Sequence, residues 1–228
     1  MHPSRTAEAL ITAAEAVICR ASDTSDVTSR AIALEAGANL SAISYHFGSV
    51  DALLAKVGQR VYHRLNTERL NLLQQTVDQH RSSPPPVARV IEALIGPSIR
   101  WSLDPNSSYA VFQFIHHRSM LSPTPDLFRP LYDEVSPHRA FIAVLGRCTP
   151  WFSEPEIGWR LNAALGIRSQ VNMRRRRGAI LTDFTIDLED AETVIAAIVE
   201  IVSPMFDRPV SGAPSIRRSA GRRIGTLT

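Results

Sequence analysis

The sequence predicts an all-α protein in which a small N-terminal domain of three short helices precedes a larger helical domain. Three observations lead to this fold class. Almost every segment places its apolar residues three and four positions apart, the spacing of one face of an α-helix. No segment shows the alternation of apolar and polar residues that a half-buried strand would give. Breaks rich in proline and glycine divide the helical pattern into separate pieces.

Length and composition restrict the class of protein. A chain of 228 residues is long enough for two modest domains, and its hydrophobic (44%) and charged (21%) shares are ordinary for a globular protein. No apolar run approaches the roughly 20 residues that span a bilayer. Glu8 and Glu15 interrupt the apolar pattern of the N-terminus, which argues against a secretory signal. We therefore expect a cytoplasmic protein that makes no contact with a membrane.

The N-terminal part of the chain divides into four predicted helices, over residues 5–20, 28–36, 39–47 and from Ser49 to about His80. Gly37 can adopt the left-handed conformation that a sharp turn needs, and Asn39 is placed to cap the helix that follows. Ser49 is a suitable N-cap for the long helix, and Asp51 suits the positive end of its dipole.

The remainder of the chain reads as further helices, predicted over residues 86–103, 107–121, 126–147 with an interruption near Pro137, 154–174 and 188–206. The run RRRR (174–177) is expected to be a solvated helix end, with a phosphate or nucleic-acid contact as the alternative. The last segment, 211–228, has little apolar content and is predicted to be disordered. Its four arginines supply the basic pI, so the rest of the chain is close to neutral.

Two short helices joined by a tight turn at Gly37 describe a helix-turn-helix. Six positions of the second helix and its start are left facing outward: Leu40, Ser41, Ala42, Ser44, Tyr45 and His46. Small side chains at 41, 42 and 44 allow a close approach to base edges in a major groove, while a tyrosine and a histidine can reach phosphates. The alternative is a plain packing of three short helices, with residues 45–47 as an aromatic plug.

The stretch VTSRAIALEAGANLSAISYHFGSVDALL (27–54) resembles the DNA-binding region of tetracycline-repressor-type (TetR/AcrR) transcriptional regulators. The matching positions are Thr28, Ile32-Ala33, Ala36-Gly37, Tyr45-His46-Phe47, Gly48-Ser49, Asp51 and Leu53-Leu54. The specific match covers residues 5–60. The resemblance implies that DNA is contacted by Thr28, Arg30, Leu40, Ser41, Ala42, Ser44, Tyr45 and His46.

The sequence departs from the family pattern in its charge. Val50 stands where the family often has a lysine that contacts phosphate. Residues 1–60 hold five basic and six acidic side chains. Because phosphate contacts dominate DNA affinity, we expect modest affinity unless Arg5 and the tail contribute.

The resemblance also implies that the rest of the chain binds a small molecule and forms a homodimer. It divides the chain into a DNA-binding domain (1–55), a ligand-binding and dimerisation domain (56–210) and a basic tail (211–228). Small and aliphatic residues along 154–174 and 188–206 suit a four-helix interface between two copies.

The best candidates for a ligand pocket are aromatic and polar residues of the larger domain: Trp101, Phe112, His116, Met120, Phe128, Tyr132, Trp159 and Asn162. Each aromatic residue is, alternatively, an ordinary part of the core. Neighbouring histidines such as His116 and His117 point about 100° apart on a helix and do not easily share one metal ion. We therefore predict no metal site and no cofactor.

Together these features predict a transcriptional regulator, expected to be a repressor that a small apolar ligand releases from a palindromic DNA operator. One alternative is a helical adaptor that has lost DNA binding. Another is an enzyme, although the sequence contains none of the Gly-rich phosphate loop, Gly-x-Ser-x-Gly, His-Glu-x-x-His or Cys-x-x-Cys patterns.

Overall fold

The computed structural model describes residues 4–209, and the regular structure in this range is helical without a strand. The α-helices are α1 (Arg5–Arg20), α2 (Ser29–Glu35), α3 (Ser41–Phe47), α4 (Val50–Gln79), α5 (Val87–Leu103), α6 (Tyr109–Leu121), α7 (Arg129–Tyr132), α8 (Ser136–Cys148), α9 (Glu154–Met173), α10 (Arg175–Leu181) and α11 (Ala191–Val202). Short 3-10 helices cover Thr24–Asp26, Pro125–Leu127 and Ser203–Phe206. The predicted all-α class is confirmed, and the tail (211–228) lies outside the described residues.

Side-chain caps fix where several helices begin. Thr28 Oγ1 accepts a hydrogen bond from the backbone of Ala31 (3.1 Å), and Ser49 Oγ accepts one from Ala52 (3.1 Å), as expected for Ser49. The cap predicted at Asn39 is wrong. Leu40 occupies the N-cap position of α3 without a side-chain hydrogen bond, and Asn39 contributes its carbonyl to the Ala42 N–H instead.

The first three helices and the start of α4 form a compact head. Its core buries Leu10, Ile32, Ile43 and Leu53, each at most 3% exposed. Each of these residues comes from a different helix, so α1, α2, α3 and α4 each contribute one apolar face to the core. Isolated helices of seven residues are unstable in water, and this shared core is what holds α2 and α3 in place.

Helix α6 of the larger domain packs into the same core. Val111, Phe114 and Ile115 of α6 join the apolar cluster of the head, together with Phe128 and Leu131 from the segment that follows. The head therefore borrows part of its apolar core from residues that lie more than fifty positions further along the chain.

A second apolar cluster fills the larger domain. Helix α5 lies at its centre, where every residue from 93 to 99 is buried, including the serine at 98 and the proline at 97. Helices α4, α8, α9 and α11 surround it. This arrangement makes α5 the core helix of a bundle, which explains its high apolar content.

The structure adds one helix that the sequence analysis missed. Helix α10 begins within the run RRRR, so the expectation of a solvated helix end there is wrong in part. Arg174 ends α9, while the half-buried Arg175 starts α10 and donates a hydrogen bond to Ser102 Oγ (3.0 Å). Arg176 and Arg177 are exposed.

Within residues 4–209, none of the helices is both long enough and apolar enough to cross a membrane.

Candidate functional site

The turn between α2 and α3 has the geometry expected of a helix-turn-helix. Gly37 adopts a φ of 60°, in the left-handed region where a side chain would be strained. The Ala38 N–H then donates to the Ala33 carbonyl (2.9 Å), which closes the end of α2. Ile32 and Ile43 meet in the head core on either side of this turn and fix how α3 sits on α2.

The opposite face of α3 is open to solvent. Tyr45 is 84% exposed and Leu40 is 55% exposed, although both are large apolar or aromatic residues. Ser41 and Ser44 are exposed between them, while Ala42 and His46 are half-buried. A short helix with its large side chains held away from the core presents a surface for a partner. Six predicted contact positions thus lie along one helix and its N-cap.

The remaining predicted DNA contacts lie at the start of α2. The side chain of Thr28 caps this helix, and Arg30 is exposed two residues further on. Arg5 lines the same surface cleft as Tyr45, so a cation stands beside α3. Val50 is half-buried at the start of α4, and Lys56 is occupied with a hydrogen bond to Gln59 Oε1 (3.1 Å).

Polar contacts attach the head to both ends of α6. At the first end, Glu15 of α1 accepts hydrogen bonds from Ser108 Oγ (2.6 Å) and from Arg60 and Arg64 of α4. Burial alone would raise the pKa of Glu15, but these hydrogen bonds hold it below its ordinary value. The carboxylate is therefore ionised and fully engaged at neutral pH.

At the other end of α6, Asp51 accepts hydrogen bonds from Arg118 (2.8 Å) and from Ser122 Oγ (2.5 Å). Asp51 is only 5% exposed and lies in the first turn of α4, directly behind α3. A displacement of α6 would therefore act on α1 and on the start of α4 together.

A polar cluster lies inside the larger domain, where α4, α5, α6, α8 and α9 converge. Arg69 of α4 is 2% exposed and donates from Nη1 to Asn66 Oδ1 (3.0 Å), while its Nε and Nη2 have no partner. Arg168 of α9 donates to Ser98 Oγ (3.0 Å) and Ser169 Oγ (3.1 Å), and its buried Nε has no partner.

The two guanidinium groups act on each other and on a histidine. Burial and the charge of Arg168 lower the pKa of Arg69 to about 9, so Arg69 still carries its charge at neutral pH. Burial and the same two arginines lower the pKa of His138 to about 4. Among the residues that the structure describes, no carboxylate forms an ion pair with either arginine.

An aromatic cluster borders these arginines and contains two of the predicted pocket residues. The ring of Phe112 lies 6.4 Å from Trp101, 6.4 Å from Tyr62 and 5.9 Å from Tyr109. The phenol of Tyr109 accepts from Asn172 Nδ2 (3.0 Å), and the Oδ1 of that asparagine is buried without a partner. Trp101 and Phe112 thus stand beside buried polar groups.

The structure does not gather the other six predicted pocket residues around one cavity. His116, Met120 and Tyr132 are exposed on α6 and α7, and Trp159 and Asn162 are exposed on α9. Phe128 is fully buried within the core of the head. A cavity of about 470 Å³ opens instead between α4 and the segment 130–137, with Tyr62 and Asn66 in its wall.

Sequence reasoning passed over Arg69 and Arg168, although the spacing of α4 held a signal that Arg69 is buried. The buried positions of α4 recur every four residues at Val57, Val61 and Leu65, and the next position in that series is Arg69. An arginine on a stripe that continues apolar on both sides must be buried with the stripe.

Within residues 4–209, no group of His, Cys, Asp and Glu could hold a metal ion.

Helices α9, α10 and α11 share a surface that is unusually apolar. Leu181 is 73% exposed, Ile201 is 62% exposed and Phe184, just beyond α10, is 74% exposed. A groove of about 350 Å³ runs between the three helices. Contiguous exposed apolar surface of this kind is typical of protein interfaces.

Comparison with solved structures finds the same fold over nearly the whole chain. A protein from Pseudomonas aeruginosa PAO1, provisionally described as a transcriptional regulator, matches with a TM-score of 0.56 at 19% identity, over 90% of this chain and 93% of that one. The superantigen PfiT matches with a TM-score of 0.56 at 17% identity, over 86% and 97%. The multidrug binding protein EbrR, solved with imidazole, matches with a TM-score of 0.52 at 17% identity, over 92% and 99%.

Comparison by sequence identifies the larger domain. No curated protein matches the chain significantly. Residues 92–204 match the model of the tetracyclin repressor-like C-terminal domain. This match is independent of residues 27–54, on which the resemblance to the TetR family was based. The larger domain therefore belongs to the tetracycline-repressor-type (TetR) family by its sequence, and the chain shares its fold with the solved structures that it matches.

Proposed function

We propose that the protein is a DNA-binding transcriptional regulator in which α3 enters the major groove. The observation that carries this proposal is the exposed face of α3, where Tyr45 and Leu40 project into solvent while Ile43 anchors the helix from behind. The small side chains of Ser41 and Ser44 lie where base edges would approach. Tyr45, His46, Thr28 and Arg30 are the groups that would contact phosphate.

Two copies of the chain would read a palindromic operator. A two-turn helix contacts only a few base pairs, so a symmetric dimer is the usual way to reach useful specificity. The exposed apolar surface of α9, α10 and α11 is the proposed dimer interface, because Leu181 and Ile201 would leave water there.

The proposed regulation is by a small molecule bound inside the larger domain. Helix α6 borders the interior polar cluster through Tyr109 and contacts the head through Ser108 and Arg118. A ligand that favours another position of α6 would shift α1 and α4, and with them the spacing of the two α3 helices. A hundredfold release from DNA requires the ligand to favour that state by about 2.7 kcal/mol, a common coupling energy. We propose that the protein represses transcription when it is bound to DNA and that the ligand releases it from the DNA.

The experiment that tests DNA binding is a selection of bound duplexes from a random oligonucleotide pool. We expect enrichment of an inverted repeat whose half-sites are centred about 10 base pairs, or a multiple of that, apart. The affinity for the selected duplex should fall steeply with salt, because phosphate contacts release counterions. Failure to enrich any sequence, together with binding that does not respond to salt, would contradict the proposal.

The second candidate function is a helical adaptor that has kept the head but lost DNA binding. The observation that favours it is charge, since Val50 replaces a cation and the only lysine of the chain is bonded to Gln59. An adaptor would show no salt-dependent binding to any duplex. The same titration therefore separates the two functions.

A further inference from the structure

Among the described residues, no carboxylate lies within ion-pair distance of Arg69 or Arg168, and Glu68 is the one acidic side chain whose charge acts on Arg69 from further away. Arg69 and Arg168 carry guanidinium groups, which keep their proton in proteins, and the charge of Arg168 lowers the pKa of Arg69. A buried guanidinium without an anion costs several kcal/mol, and a chain that keeps two of them side by side loses stability. Arginine does not escape this cost by losing its proton, because even a pKa of about 9 leaves Arg69 cationic at pH 7.

The unused hydrogen-bonding groups point in the same direction. Three buried donor nitrogens have no partner: Nε and Nη2 of Arg69, and Nε of Arg168. The groups that the arginines do contact are neutral, namely the amide of Asn66 and the hydroxyls of Ser98 and Ser169. Buried donors in native proteins are almost always satisfied. An anion with two or three oxygens would satisfy these donors and the charge at once.

The surroundings describe the rest of the ligand. Phe112, Trp101 and the ring carbons of Tyr62 and Tyr109 form an aromatic wall beside the arginines. Such a wall suits an apolar body. The carboxylate of Glu68, which accepts a hydrogen bond from Trp101 Nε1 (2.9 Å), would repel a second negative charge there. The ligand would thus carry its charge at one end only.

A cavity lies next to the cluster and shares Tyr62 and Asn66 with its surroundings. The cavity of about 470 Å³ between α4 and the segment 130–137 has Asn66 in its wall, and Asn66 is the residue that holds Arg69. This volume is within the range of small-molecule sites. Glu134 also lines the cavity, but it is exposed and accepts hydrogen bonds from Ser136, so its charge is solvated.

We propose that Arg69 and Arg168 bind the oxyanion head group of a small organic acid, whose apolar body lies against the aromatic wall. This ligand would be the effector of the regulator proposed above, so the inference rests on that function. It also refines the expectation of a largely apolar ligand, since one end must be anionic.

The test measures binding to the full-length protein by calorimetry, without DNA. The probes are octanoate, phenylacetate and 1-naphthoate, each compared with its own primary amide, and octyl phosphate as a second kind of oxyanion. We expect acids to bind at least tenfold more tightly than their amides, because charge-assisted hydrogen bonds contribute about 1.5–3 kcal/mol. A preference between octanoate and octyl phosphate identifies the head group.

Variants then assign the binding to these arginines. Arg69→Met and Arg168→Met should each weaken acid binding by roughly tenfold to a hundredfold, while affinity for the amides changes little. Arg139→Met is the matched control, since Arg139 is exposed on α8, and it should leave all affinities unchanged. Without ligand, Arg69→Met should melt no lower than the original protein, because an uncompensated buried charge has been removed.

Three outcomes would overturn the inference. They are equal binding of acids and amides, unchanged acid binding by Arg69→Met, and no binding by any probe. Each of them leaves the proposed DNA binding untouched, since the random-pool selection measures it separately. Conversely, if acids bind through Arg69 but leave the affinity for the selected duplex unchanged, the anion site is supported. The proposed control of DNA binding by this ligand is then overturned.

Discussion

Ser108 Oγ donates a hydrogen bond of 2.6 Å to Glu15 Oε1, which joins the residue preceding α6 to a buried carboxylate of the head. Glu15 also holds Arg60 and Arg64, so three elements meet at one side chain. This position is the first of two polar connections between α6 and the head, the other being Asp51 with Arg118.

We expect Glu15→Gln to lower the free energy of unfolding by about 1–3 kcal/mol, because Arg64 loses its counter-charge and Arg60 keeps only the exposed Glu8, while Ser108 keeps an acceptor. Urea unfolding at pH 7 measures the loss. Glu35→Gln is the control, since its partner Arg20 is 62% exposed and such surface pairs contribute less than about 1 kcal/mol. Equal losses in the two variants would contradict a special role for Glu15.

We expect Tyr45→Phe to weaken binding to selected and unrelated duplexes alike, by roughly fivefold, because it removes one hydroxyl that reaches phosphate. Ser44→Ala should instead change which sequences are preferred, with little effect on unrelated DNA. Fluorescence anisotropy with both kinds of duplex separates the effects. The assignment fails if Tyr45→Phe alters sequence preference at unchanged affinity for unrelated DNA.

The stability of the protein should depend on His138 below neutral pH. Its pKa is about 4 in the folded chain and 6.5 when unperturbed, so the unfolded chain binds a proton that the folded chain does not. The stability that the neutral His138 contributes to the folded chain is complete above pH 6.5 and is lost as the pH falls towards 4. Because His138 is partly exposed, we expect about 1 kcal/mol of this loss between pH 7 and pH 5.

His138→Gln should remove that loss, whereas His63→Gln, at an exposed position of α4, should follow the original protein. Urea unfolding at pH 7 and pH 5 gives the comparison. Arg69, Arg168 and Glu134 are the charges that act on this histidine. Identical pH dependence in the two variants would show that the pKa of His138 is not lowered in the folded chain.

The proposed dimer interface is tested at Leu181 and Ile201, which line the groove between α9, α10 and α11. Either residue replaced by glutamate should give monomers in sedimentation at micromolar concentration, because an apolar side chain would be lost and a charge would have to leave water on association. Ala196→Glu, at an exposed position of α11 outside the groove, should not change the mass. A dimer that survives both groove variants would place the interface elsewhere.

Much of the fold could be predicted from the sequence because the helices are amphipathic and bounded by clear signals. The predicted range 5–20 for α1 agrees with Arg5–Arg20, and the N-cap at Ser49 agrees with the start of α4. The outward face of α3 was also predicted, since Ile43 is the one fully apolar position in a run of small and polar residues. The assignment of these positions to DNA contact, and the domain boundaries at 55 and 210, stay predictions.

The interior of the larger domain could not be predicted from local patterns. Arg69, Arg168 and Asn172 come from two helices about a hundred residues apart, and only the packing around α5 shows that they meet. Aromatic residues gave a misleading guide, because helical spacing does not say whether Trp159 faces the bundle or the solvent. Its exposed fraction, 65%, follows from the tertiary arrangement of α9.

The apolar core that the head shares with α6 has a consequence for how the molecule unfolds. A fragment that ends at residue 60 would lack Val111, Phe114, Ile115 and Phe128, and would expose the faces of α1 and α4 that they cover. Heating should therefore not melt the helix-turn-helix ahead of the rest. Calorimetry should show one cooperative heat-absorption peak, because the segment that holds α3 in place is completed only when a distant part of the chain has folded onto it.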